Sequence, residues 1–66
     1  MIPMNKQTWE YNEYAVIQDL DSPFYSCMIY KRSEFIAHTN YHKKIENQEE
    51  AETIIKTIID ARKKVL

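Results

Sequence analysis

The 66-residue chain contains no glycine. Phosphate-cradling loops and dinucleotide fingerprints need glycine for close backbone approach and positive φ, so Walker-type and Rossmann-type nucleotide sites are excluded. Cysteine is nearly absent as well. Cys27 stands alone and cannot form an intramolecular disulfide, whereas small secreted domains usually rest on several, which points to a reducing cytoplasm. No apolar run approaches the roughly 20 residues that span a bilayer, and the segment Met1 to Gln7 lacks the apolar core of about 7–15 residues found in signal peptides. A cytoplasmic, soluble protein with no membrane partner is therefore expected. An excess of one charge is missing too: nine Lys+Arg stand against ten Asp+Glu, leaving no strong field for nucleic acid or anionic lipid. Length imposes a last limit, because a domain of this size buries only about 60% of the surface its unfolded chain exposes. That argues for one domain over residues 1–66 and against a self-contained enzyme with a small-molecule substrate.

What is present is a folding sequence. Hydrophobic residues make up 44% of the chain, with five Tyr, two Phe and one Trp, far from the composition of disordered segments. Apolar residues at Ala51, Ile54, Ile55, Ile58, Ile59 and then Val65 or Leu66 recur with the spacing of a helix that buries one stripe. Asn47 is placed to cap it, with Glu50 as a capping-box partner, acids in its first turn, and Arg62, Lys63 and Lys64 in its last. Glu52, Lys56, Asp60 and Lys64 alternate in sign on the opposite, solvated face. The helix is predicted over residues 47–65.

The chain before it reads as β structure over residues 9–42, behind a flexible N-terminus of residues 1–8. Tyr14 to Leu20 and Phe24 to Lys31 are rich in β-branched and aromatic residues, and Asp21-Ser22-Pro23 between them is a turn signal. A second turn at Arg32-Ser33 leads into Phe35 to His42. The segment Thr8 to Tyr11 adds a short strand or extends the first one, with Asn12-Glu13 as a bulge or tight turn. The fold class is α+β: a three-stranded or four-stranded antiparallel meander with one C-terminal amphipathic helix on one face.

A two-residue Arg32-Ser33 loop sets a register that pairs Lys31 with Glu34, Tyr30 with Phe35, Ile29 with Ile36, Met28 with Ala37 and Cys27 with His38. One face then carries Phe24, Met28, Tyr30, Phe35, Ala37 and Tyr41, and the other Tyr25, Cys27, Ile29, Ile36 and His38. A single helix covers one face, so a hydrophobic and aromatic face is left over, which in a monomer usually marks an interface.

Catalytic and metal chemistry are weakly represented. Cys27 and His38 as cross-strand neighbours form the minimum thiolate–imidazole pair, but a lone strand cysteine is usually a small buried apolar residue. His38 and His42 lie roughly 13 Å apart in an extended strand, too far to share an ion with Cys27. No catalytic residue, metal or cofactor is assigned. Lys31, Arg32, Lys43 and Lys44, together with sheet aromatics, compose an alternative nucleic-acid surface.

The order β-β-β-α, with Tyr14-x-Val16 in a strand and Glu49-Glu50-Ala51 opening the helix, resembles the half-fold of HicB-type antitoxins and several families of small bacterial and phage proteins. The proline-glycine-cysteine segment expected in the antitoxins is missing, so no functional residue carries over. The resemblance implies a small bacterial or phage accessory protein. The sequence thus points to a non-enzymatic interaction module of regulator or inhibitor type, self-associating as a homodimer or docking a partner protein through Phe24, Met28, Tyr30, Phe35 and Tyr41.

Overall fold

The computed structural model describes residues 5–64. Four strands, β1 (Lys6–Tyr11), β2 (Tyr14–Asp19), β3 (Ser26–Lys31) and β4 (Glu34–Asn40), form one antiparallel meander in the order β1-β2-β3-β4, followed by the helix α1 (Gln48–Lys64). Thr8 to Tyr11 therefore belongs to a separate strand, and it begins earlier than the sequence suggests. Lys6, Gln7 and Thr8, expected in a flexible segment, are paired with Asp19, Gln18 and Ile17. The rest of that expected segment, residues 1–4, lies outside the described residues, as do the helix positions Val65 and Leu66. No helix among the described residues is long and apolar enough to cross a membrane.

Both tight hairpins turn without glycine. Asn12 opens the β1–β2 loop at φ 55, and Arg32 and Ser33 form the β3–β4 loop at φ 50 and 70. Two consecutive positive φ values give the twist that two-residue hairpins favour, and non-glycine residues take them at a steric cost. Tyr25 and His42 also lie in the left-handed region, at φ 50 and 67. They sit where the β3–β4 ladder ends, with Tyr41 N–H donating to Tyr25 O and His42 N–H to Phe24 O.

The core lies between the sheet and α1, which rests over β1 and β2. Val16, Cys27 and Ile29 from the strands meet Ala51, Ile54 and Ile55 from the helix, and Ile45 from the β4–α1 connection closes the layer; all seven are buried. Trp9, Tyr11, Tyr14 and Ile58 pack around them, half-buried. The predicted helical stripe is thus the buried one. Asn47 caps α1 as expected, its Oδ1 accepting from Glu50 N–H at 2.9 Å. The capping box is not completed by Glu50, whose carboxylate accepts from the Tyr41 hydroxyl at 3.0 Å and lies 3.4 Å from Lys43 Nζ.

The β3–β4 register agrees with the sequence reading only next to the turn. Lys31 pairs with Glu34 and Tyr30 with Phe35, but Ile29 then pairs with Ala37, Met28 with His38 and Cys27 with Thr39. The turn has the expected two residues, so the slip arises elsewhere: Ile36 is an extra residue, and a β-bulge between Ile29 and Tyr30 absorbs it. Ile36 and Ala37 both pack toward the core. The Ile36 carbonyl accepts from Arg62 Nη1 at 3.0 Å, which ties the end of α1 to the bulge.

Candidate functional site

Alternation along the paired strands assigns the two faces. Trp9, Val16, Gln18, Cys27 and Ile29 face the helix. On the other side, with no element over it among the described residues, lie Ala15, Ile17, Met28, Tyr30 and Phe35, flanked by Thr8, Glu10 and His38 on the edge strands. The pairs Ile17–Met28, Ala15–Tyr30 and Tyr30–Phe35 make this apolar patch continuous across three strands. Tyr30 organises it. Its ring meets Phe35 edge-on at 5.7 Å, and its hydroxyl donates to Met28 Sδ at 3.9 Å. Phe35 remains 53% exposed, while a depression of about 400 Å³ opens on the same face beside Ala15, lined by Glu10, Ile17 and Tyr30.

Of the residues selected from the sequence, the structure gathers Met28, Tyr30 and Phe35 on the uncovered face and separates the other two. Tyr41, past the bulge, packs on the helix side and bonds Glu50. Burial and the neighbouring Glu50 carboxylate push its phenol pKa up. Phe24 belongs to the β2–β3 connection, exposed, with its ring edge-on to His42 at 6.1 Å. Ala37, placed by the simple register on the uncovered face, goes to the core side, and His38 takes the reverse path. Ile17 and Ala15 were missed; their alternation in Tyr14 to Asp19 was the available signal, once the neighbouring strand was fixed.

The same slip dissolves the thiolate–imidazole pair. Cys27 is fully buried beneath the helix and His38 is exposed on the opposite face. Burial raises the Cys27 thiol pKa, with the neighbouring Gln18 amide opposing the shift. No group of three or more metal-ligating side chains occurs among the described residues. The basic residues considered for nucleic acid do not converge either. Arg32 and Lys31 both pair with Glu13, and Lys43 pairs with Glu50, whose charge raises the lysine pKa. Lys44 is exposed in the β4–α1 connection.

Gln18 carries a structural role that sequence reasoning passed over. It is the buried polar side chain among the core residues, at 0% exposure. Its Oε1 accepts from Ile45 N–H at 2.8 Å, and its Nε2 donates to the Lys43 carbonyl at 2.8 Å and the Tyr25 carbonyl at 3.3 Å. One amide thus fixes the β4–α1 connection to the β2–β3 connection and seats Ile45 in the core. With Gln7 Nε2 donating to the Ile45 carbonyl at 3.0 Å, both backbone groups of Ile45 are held by glutamines. These ties position the helix on one face of the sheet and leave the other face free.

No family model, curated protein or solved structure matches the chain. The order β-β-β-β-α has one strand more than the β-β-β-α layout that prompted the comparison with HicB-type antitoxins.

Proposed function

We propose that this protein is a non-enzymatic interaction module that acts by docking the uncovered sheet face, as a regulator or inhibitor would. The observation carrying this reading is the arrangement of that face: half-buried Ala15, Ile17, Met28 and Tyr30 at its centre, exposed Phe35 beside them, and polar Thr8, Glu10 and His38 at the edges. An apolar centre with a polar rim is the anatomy of a protein interface. Tyr30 and Phe35 are the anchors, since aromatic side chains contribute disproportionately at such centres. Against a nucleic-acid surface stands the pairing of Lys31, Arg32 and Lys43 with carboxylates of the same chain, which lowers the charge offered to phosphates.

A photo-crosslinking residue at position 35, compared with one at Lys56 on the exposed helix surface, tests the reading in native lysate and with purified protein. Adducts from position 35 in excess over position 56 are expected. Equal or no adducts at the two positions refute it. Tyr30→Ala and Phe35→Ala are expected to abolish association with the helix signal in circular dichroism unchanged; unfolding of both would make this face part of the core.

A further inference from the structure

We infer that the occupant of the uncovered face is a second copy of this chain, related by a two-fold axis that runs parallel to the strands between β2 and β3. This rests on the interaction reading above and specifies its partner. The argument is self-complementarity. Such an axis lays β2 of one copy over β3 of the other and β1 over β4. Bulky Tyr30 then meets the partner's Ala15, and Met28 meets the partner's Ile17, so large side chains stand over small or aliphatic ones in both copies.

Phe35 gives the sharpest match. It projects from β4, 53% exposed, and the same rotation carries it to the depression beside Ala15 and Glu10 of the partner. Knob and hole lie on one face of one chain, in the same residue row, so each copy offers both. An isologous interface requires that property. Charges agree as well. Glu10, Lys6 and Asp19 come to lie over the partner's Phe35, Asn40 and Ser26, and no like charges are opposed. A two-fold axis across the strands instead lays each strand over its own copy, so Phe35 faces the partner's β4 and does not reach the depression beside Ala15 and Glu10.

The size of the face sets the strength. Four strands at about 4.8 Å and about six residues at 3.3 Å span a plane of roughly 400 Å². That is about half of the roughly 800 Å² per partner that specific interfaces bury, so the dimer is weak and dissociates on dilution.

The test uses the full chain and two variants, Ala15→Lys and Phe35→Glu. Each alone is expected to weaken the dimer at least tenfold in sedimentation velocity. In Ala15→Lys the longer side chain fills the hole, and in Phe35→Glu the new carboxylate meets the partner's Glu10. Mixed together, the two variants are expected to form a heterodimer, because one half of the interface sets the introduced lysine against the introduced glutamate while the other half keeps the native Ala15 and Phe35. A wild-type chain that stays at its 8.0 kDa monomer mass up to millimolar concentration overturns the inference, as does a wild-type dimer whose variants are not rescued on mixing. Far-ultraviolet circular dichroism of each variant verifies folding, and Ala15→Gln with Phe35→Ser repeats the single-variant arm should either fail to fold. Crosslinks from position 35 to species other than a second copy overturn this inference alone, whereas no crosslinks at all overturn the interaction reading beneath it.

Discussion

Replacing Gln18 by leucine isolates the contribution of the amide that ties two connections together. Leucine has similar volume and no polar atoms, so the substitution leaves the Ile45 N–H without its acceptor and the Lys43 carbonyl without its donor. Tyr25 O keeps its bond from Tyr41 N–H. Ile45 is fully buried, and an orphaned buried donor costs about 1–3 kcal/mol. The Lys43 carbonyl bond is part-buried, and its loss adds about 1 kcal/mol. A net loss of about 2–3 kcal/mol is expected. For a chain of 66 residues, total stability is roughly 3–10 kcal/mol, so this is a large fraction. With a urea m-value of about 1 kcal/mol/M for so small a domain, the unfolding midpoint falls by about 2–3 M. Circular dichroism under urea titration measures it, and a midpoint within about 0.5 M of wild type refutes the assigned role.

Gln18→Glu adds a pH signature. A glutamate buried at this position, with one oxygen facing the Lys43 carbonyl, has its folded-state pKa raised above the unfolded value because burial disfavours the carboxylate. The stabilisation that protonation supplies is fully present below the unfolded pKa of about 4.3 and is lost as pH rises through the folded one. The deficit relative to wild type is therefore largest at neutral pH and shrinks toward acid. A pH-independent deficit contradicts the geometry.

Three further outcomes follow from particular residues. Ser33→Gly relieves the left-handed conformation at φ 70 and is expected to raise stability by about 0.5–1 kcal/mol, read as a higher urea midpoint; a lower midpoint shows that the turn is not strained. Asn47→Ala removes the oxygen that accepts from Glu50 N–H and costs about 1 kcal/mol, measured the same way. Cys27, buried and with its thiol pKa pushed up, is expected to react with a thiol reagent at about pH 8, near the ordinary thiol pKa, only as fast as the chain unfolds; rapid modification of the native protein contradicts its placement in the core.

The elements of the fold were legible because each rests on local patterning. Ala51, Ile54 and Ile55 recur at helical spacing and are the buried side of α1. Asn12-Glu13 and Arg32-Ser33 mark the tight turns even without glycine, since asparagine and serine are turn formers that interrupt the apolar strands. What local patterning does not encode is the bulge. Nothing in Phe35-Ile36-Ala37-His38 distinguishes an extra residue from regular alternation, and one residue reverses every side chain beyond it. That is why Met28, Tyr30 and Phe35, on the near side of the slip, share the uncovered face, while Ala37, His38 and Tyr41 exchange sides. Gln18 escaped notice for a related reason. In sequence it is one polar residue in an alternating strand, and its burial depends on Ile45 and Lys43 returning from 27 and 25 positions away.

The central claim is that copies of this chain dock on one another through the sheet face opposite its helix. Backbone amide spectra of the wild-type protein, recorded by NMR across a dilution series, test it most directly. Concentration-dependent shifts confined to Ala15, Ile17, Met28, Tyr30 and Phe35, with Lys56 and its helix neighbours unmoved, are the expected result. Shifts that map to the exposed surface of α1, or spectra unchanged up to millimolar concentration, contradict it.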